Sequence, residues 1–110
     1  MITASFRMTG DRIDGFTVKG HSGYADEGHD IVCAAVTSAV RLTECAVNDV
    51  LGLGAAVKVR ERDASISLKL PGGLSRENET VCQTILAALM VHFASLQEEY
   101  PDNLIVLEED

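Results

Sequence analysis

Apolar and polar residues alternate in the first twenty positions of the chain. Residues 2–8 and 13–19 alternate with a period of two, as half-buried β-strands do. The turn residues Thr9, Gly10 and Asp11 lie between them, so the two segments predict an antiparallel hairpin. Segments 57–61 and 65–70 repeat the pattern and predict a second hairpin, and 103–108 predicts a last short strand.

Two longer segments, 31–51 and 76–99, instead repeat apolar residues every three or four positions, which predicts amphipathic helices. Asp30 is expected to cap the first helix, and Gly52 to end it. Ser75 precedes the second helix, and Pro101 follows it. The stripe predicted to face the core is Val32, Val36, Val40, Thr43, Val47 and Val50 in the first helix, and Val81, Ile85, Leu89, Phe93 and Leu96 in the second.

The predicted order of elements is therefore ββαββαβ. Two hairpins and one extra strand form a mostly antiparallel sheet, and both helices pack most simply on one face of it. This is an α+β fold, a two-layer sandwich. A length of 110 residues favours a single domain over 1–110.

The charge of the chain limits the kinds of partner that we expect it to bind. A formal net charge of −8 argues against direct binding to nucleic acid and suits a basic protein or peptide. The first residues do not resemble a signal peptide, and no apolar run is long enough to cross a bilayer. Three cysteines without a CxxC pair indicate reduced thiols. We therefore expect a cytoplasmic protein without a membrane partner.

Cys33 is the strongest candidate for chemistry. With Asp30 as the cap, Cys33 would be the third residue of the helix, where free amides and the helix dipole favour a thiolate. His21 ends the second predicted strand, twelve positions earlier, and could take the thiol proton. Asp30 could either cap the helix or orient the histidine. This combination predicts a cysteine-dependent hydrolase.

Other readings of these residues stay open. His29 is a competing base, and His21, His29, Asp30 and Cys33 together could bind zinc, although their spacing matches no common metal signature. A lid over a bound peptide could form from the glycine-containing loop 22–29. Its candidate substrate contacts are Ser22, Gly23, Tyr24, Asp26 and Gly28.

Three further residues are expected to be structural. Cys45 and Cys82 lie within the helical patterns and are predicted to be inert packing residues. His92 neighbours Phe93 and has no acidic or thiol companion nearby in sequence. No cofactor or metal is required by these patterns.

The segments GHSGYA, at 20–25, and GHDIVCAAVT, at 28–37, resemble the signature of the ribosomal-processing cysteine protease family Prp. The resemblance extends over the chain in length and element order. Thr37 stands where many relatives have serine.

The resemblance implies an endopeptidase that removes an N-terminal extension from a large-subunit ribosomal protein, number twenty-seven. It implies His21 and Cys33 as the catalytic pair, a supporting role for Asp30, a mobile loop over 22–29 and a homodimer. A basic ribosomal substrate also suits the acidic chain. The alternatives are a non-catalytic module that binds a ribosomal protein and a small metal-binding or thiol-redox protein.

Overall fold

The structure is a computed structural model. It describes residues 1–20 and 31–110 in full, and residues 27–30 by their backbone alone. The order of elements confirms the predicted ββαββαβ arrangement. The strands are β1 Ile2–Thr9, β2 Arg12–Lys19, β3 Ala56–Arg60, β4 Ser65–Lys69 and β5 Leu104–Glu109. The helices are α1 Glu27–Glu44, which continues into a π-helical segment Cys45–Val50, and α2 Arg76–Glu99.

The five strands form one mixed sheet in the order β3-β4-β2-β1-β5. Both predicted hairpins pair antiparallel, as does β2 with β4, whereas β5 adds to the edge of β1 in parallel. Parallel pairing needs a crossover connection, and α2 provides it. The two helices cover one face of the sheet, which confirms the α+β two-layer sandwich.

The core lies between the sheet and the helices. The ring of Phe6 on β1 lies 5.8 Å from that of Phe16 on β2 and 6.2 Å from that of Phe93 on α2, the latter pair edge to face. Val32 and Val47 are fully buried beneath α1 and the π-helical segment. Because inward side chains of both layers interlock here, the core fixes how α1 and α2 sit on the sheet.

The first helix begins earlier than the sequence predicts. It starts at Glu27, so Asp30 is its fourth residue and is not its N-cap. An acidic side chain is favourable throughout the first turn of a helix as well as at the cap, so the pattern alone could not separate the two positions. Gly28 likewise belongs to this first turn, so residues 27–29 of the predicted loop 22–29 are helical.

The predicted apolar stripe of α1 is correct except at Val50, and that of α2 is correct only in its second half. Val50 is 77% exposed, because it follows five residues of π-helix that have rotated the face away from the core. Val81 is 41% exposed, and its neighbour Cys82 is buried instead. The buried positions of α2 are Cys82, Leu86, Leu89, Phe93 and Leu96. The prediction is therefore correct for the last three, whereas in place of Val81 and Ile85 the residue that follows each of them is buried.

Side-chain amides attach the helices to the neighbouring backbone. Gln83 on α2 accepts from the Ile13 N–H at 2.8 Å and donates to the Ile13 carbonyl at 2.9 Å. Asn48 makes the same pair of bonds to Ala55, at 2.7 and 3.0 Å. Each amide satisfies a backbone donor and acceptor at once, which fixes the position of a helix against a strand or loop.

By length and composition alone, Ile31–Val50 and Arg76–Glu99 are apolar enough to cross a membrane. This is weak evidence, since core helices of soluble proteins meet the same criterion. Each helix contributes fully buried residues to the core against the sheet, among them Val32 and Phe93.

Candidate active site

Cys33 lies in the second turn of α1 and is half-buried, packed against the edge of the core. The preceding residue, Val32, is fully buried and points into the core. The Cys33 sulfur therefore lies at the boundary between the buried and the exposed side of the helix. A position of this kind holds the thiol in place while leaving it reachable. A nucleophile needs both properties.

The other two cysteines differ from Cys33 in burial. Cys82 is fully buried, and burial raises the pKa of its thiol, with a smaller contribution from the charge of Glu79. It is the packing residue that the sequence predicts. Cys45 is exposed, so the same prediction is wrong for it: the residue lies at the start of the π-helical segment and its side chain faces away from the core.

The early start of α1 changes the electrostatics expected at Cys33. Cys33 is the seventh residue of the helix, and not the third as predicted. Its backbone N–H is therefore used within the helix, bonded to the carbonyl four residues earlier. The field of the helix dipole is strongest within the first turn. The free amides of the helix start therefore offer a thiolate at Cys33 less stabilisation than the sequence predicts.

The described chain after β2 ends at Gly20. This residue has a φ of 96°, in the left-handed region that favours glycine, and a side chain there would collide with the carbonyl oxygen of Met1. Met1 and Ile2 lead into the neighbouring strand β1. Glycine at position 20 thus lets the chain leave the sheet beside β1, directly before His21.

Several predicted site residues fall outside the described part of the chain. These are His21, Ser22, Gly23, Tyr24 and Asp26. The backbone of His29 and Asp30 lies in the first turns of α1, but their side chains are not described. The pairing of Cys33 with His21 therefore stays a prediction, as does the zinc alternative. Within the described residues, no group of acidic, histidine or cysteine side chains is arranged to hold a metal ion.

Two surface features were missed by reasoning from the sequence. An apolar groove of about 630 Å³ lies between α1 and α2, lined by small residues such as Ala39 and Ala88 and by the exposed Leu42. The uncovered face of the sheet holds a second groove, rich in lysine and arginine. The sequence did contain a signal for the second groove, because its lysine and arginine residues occupy alternate positions of the predicted strands.

Comparison of the sequence with known proteins finds relatives over nearly its whole length. The family model described as cysteine protease Prp matches residues 1–105. The ribosomal processing cysteine protease Prp of Bacillus subtilis is 30% identical over 107 residues, which cover 96% of either chain.

Two crystal structures of the essential ribosomal processing protease Prp from S. aureus share the fold. The complex with a substrate peptide matches with a TM-score of 0.79 at 21% identity and covers 99% of this chain and 100% of that one. The complex with a covalently linked product peptide gives a TM-score of 0.76 at 22% identity, with the same coverage.

An α+β sandwich that carries a half-buried cysteine on its first helix, together with these matches, defines the chain as a cysteine protease. More specifically, it belongs to the Prp family of ribosomal processing cysteine proteases.

Proposed function

We propose that this protease cuts its substrate with a dyad of Cys33 and His21. His21 takes the proton from the Cys33 sulfur, and the thiolate attacks the scissile carbonyl carbon. The tetrahedral intermediate collapses as His21 gives the proton to the leaving amine. A water molecule, deprotonated by His21, then hydrolyses the thioester and frees the second product together with the thiol.

The observation that carries this proposal is the half-buried position of Cys33 on α1 in a chain of the Prp family. Of the two other thiols, Cys82 is sealed in the core and Cys45 lies in open solvent at the far end of the helix. The S. aureus relative has been crystallised with a covalently linked product peptide, which supports a covalent mechanism for this chain.

The position of Cys33 within α1 gives His21 a larger role than the sequence alone suggests. Since the helix uses the Cys33 amide, the thiolate is stabilised chiefly by the imidazolium. Asp30 is proposed to support this pair by orienting His21. The residues proposed to contact the substrate are Ser22, Gly23, Tyr24, Asp26 and Gly28.

The substrate we propose is the N-terminal extension of large-subunit ribosomal protein number twenty-seven. A net charge of −8 supports a basic substrate, because an acidic surface attracts cationic segments from solution. The relatives' description as ribosomal processing proteases supports the same class of substrate. We also propose a homodimer and a cytoplasmic location, the latter open to test by cell fractionation.

The decisive experiment compares two single cysteine variants. Purified wild type, Cys33→Ala and Cys45→Ala are incubated with the precursor of ribosomal protein twenty-seven, and cleavage is followed by mass spectrometry. We expect Cys33→Ala to lose all turnover because no nucleophile remains, and Cys45→Ala to retain it. Turnover by Cys33→Ala at the wild-type rate would refute the proposal.

The role of His21 is tested separately. His21→Ala is expected to lower kcat/KM by at least about 100-fold, the typical scale of general acid–base catalysis, while His29→Ala stays near wild type. The reverse result would identify His29 as the base. Binding of the precursor by wild type without any cleavage would indicate a non-catalytic module, and loss of activity on removing zinc would indicate the metal alternative.

A further inference from the structure

The face of the sheet opposite the helices is open and strongly basic. A groove of about 500 Å³ runs across it. Five of the nine lysine and arginine residues line this groove, but only two of the seventeen aspartate and glutamate residues do. The five cations are Arg7, Lys19, Lys58, Arg60 and Lys69, and all are exposed. An acidic protein thus concentrates its positive charge on one face.

Strand register arranges these cations around a band of hydroxyl groups. Ser5 pairs with Thr17, Thr17 with Ser67, and Ser67 with Lys58, which makes one row across four strands. Two residues away on one side lie Arg7 and Lys69, and two residues away on the other lie Lys19 and Arg60. Two residues of strand correspond to about 7 Å, so the two outer sets of cations flank the hydroxyl row at about that spacing.

The acidic residues of the groove leave most of this charge unneutralised. Asp14 accepts hydrogen bonds from Thr9 and Arg12, which lower the pKa of its carboxyl group, and it is thus already engaged. Glu109 lies opposite Arg7 in the register of β5 and β1. In the part of the chain that the structure describes, the ion pairs are those of Arg12 with Asp14 and Glu79, so none involves the five cations.

We propose that this open sheet face binds the backbone of double-stranded RNA. Lysine, arginine and serine or threonine hydroxyls are the side chains that contact phosphate and sugar in nucleic-acid complexes. Duplex RNA is recognised mainly through phosphates and 2′-hydroxyls across its wide, shallow minor groove. Two sets of cations with hydroxyls between them match phosphates on either side of a row of 2′-hydroxyls.

Other polyanions fit this face less well. A single strand is usually held by stacking on exposed aromatic rings, but the one aromatic residue of the groove, Phe16, is only 3% exposed. An acidic peptide adding to a sheet uses the unpaired groups of an edge strand, whereas these cations spread over the face of four strands. The net charge of −8 opposes the approach of RNA at long range. At about 0.1 M salt, however, screening limits the reach of each charge to about 10 Å, so the charges of this face dominate once RNA is in contact with it.

The face lies on the other side of the sheet from Cys33, so RNA binding and proteolysis can be measured independently. The probe is a fluorescent RNA duplex of about twenty base pairs, followed by anisotropy. We expect a Kd of about 10 µM or below near 50 mM salt, within the range of backbone-directed binding. If four or five phosphates are neutralised, raising salt to about 200 mM weakens binding by about 100- to 500-fold.

Charge-neutralising variants test the face itself. Lys19→Gln/Arg60→Gln and Lys58→Gln/Lys69→Gln are each expected to weaken binding at least about tenfold and to reduce the salt slope by about two. The matched control is Arg41→Gln/Arg76→Gln, which removes the same charge from the helix layer and is expected to change affinity less than about twofold. Circular dichroism checks that all three variants are folded.

Competition separates RNA from other anions. The RNA duplex is expected to compete at lower concentration than a DNA duplex of the same sequence, which lacks the 2′-hydroxyls, and than poly-glutamate. Absence of RNA binding by the folded wild type overturns the proposal, as does equal weakening by the control variant. Equal or stronger binding of DNA, or preference for poly-glutamate, also overturns it.

Discussion

A single glycine determines how closely two central strands approach. Gly15 on β2 is buried, and a Cβ atom there would overlap the carbonyl oxygen of Leu68 on the neighbouring strand β4. Its φ is not in the left-handed region, so the requirement is purely one of space. Gly15 directly follows Asp14, the extra residue of β2 at the point where the register between β1 and β2 shifts.

Replacing Gly15 by alanine should therefore destabilise the fold. We expect Gly15→Ala to lower the free energy of unfolding by about 1–3 kcal/mol, because backbone must move to accept the methyl group. Gly72→Ala is the control, since a Cβ at Gly72 meets nothing within 4 Å and its φ is ordinary. It should be neutral or stabilising by up to about 1 kcal/mol. Equal urea midpoints for the two variants would contradict this account.

Asp14 adds a dependence of stability on pH. Its pKa is lowered from the ordinary 3.8, first by the hydrogen bond from Thr9 and then by Arg12. The folded state therefore favours the ionised carboxylate, whose stabilising contribution is complete above pH 3.8 and is lost as pH falls through the lower folded-state value.

Comparison of Asp14→Asn with wild type should reveal this contribution. The difference in unfolding free energy is expected to be largest near neutral pH and to shrink as the medium becomes more acidic than pH 3.8. Asp11→Asn removes the same charge from the adjoining turn and controls for net charge. A difference that grows on acidification would show that Asp14 does not act through its ionised form.

At the scale of elements, α2 is attached to the sheet by polar contacts as well as by its apolar stripe. Arg12 donates to Glu79 at 2.6 Å, and one turn later Gln83 bonds the backbone of Ile13. These contacts lie at the N-terminal half of α2, where Val81 turns outward and Cys82 inward. These hydrogen bonds therefore help to set the rotation of α2 about its axis, and so which of its residues face the core.

Removal of this amide should loosen the helix. Gln83→Ala leaves the N–H and carbonyl of Ile13 without their partners, and we expect a loss of about 1–3 kcal/mol in unfolding free energy. Thr84→Ala, one residue further on the exposed side, should change stability by less than about 0.5 kcal/mol. If Thr84→Ala proves as costly as Gln83→Ala, the loss arises from shortening any side chain in this part of α2, and the bonds to Ile13 contribute little.

The strands and helices were largely predictable because they depend on local periodicity. Alternation placed all five strands to within about two residues, and the three-to-four repeat placed α2 at the correct bounds. The start of α1 was not predictable, because Glu27 and Asp30 are both favourable near a helix N-terminus. Val50 points outward because of the π-helical segment, and such a segment leaves no simple periodic pattern in the sequence.

At the scale of the whole molecule, the helix layer exposes apolar side chains that a second copy could cover. Leu42 is 70% exposed beside the groove between α1 and α2, and Val91 is 67% exposed on α2. Apolar surface of this kind gains free energy when it leaves water. These residues support the proposed homodimer and give it a surface to test.

A charge at the groove should separate the subunits. In sedimentation velocity, wild type is expected to sediment as a dimer at micromolar concentration and Leu42→Glu as a monomer, since a carboxylate buried in an apolar contact is costly. Val59→Glu, at a residue 68% exposed on β3, places the same charge away from the helices and should leave the dimer intact. A monomeric wild type would contradict the homodimer, and a dimeric Leu42→Glu would place the interface elsewhere.

The sequence by itself determined the elements, their order and the motif that marks the Prp family, because hydrophobic period and a long local signature are properties of neighbouring residues. The sequence pattern also predicted that Cys82 is buried, but only the tertiary structure decided that Cys45 is exposed and that Cys33 lies at the edge of the core. It also decided that cations from four strands share one face, although the chain as a whole is acidic. Burial and local charge depend on residues far apart in the chain, and only the packing of sheet against helices brings those residues together.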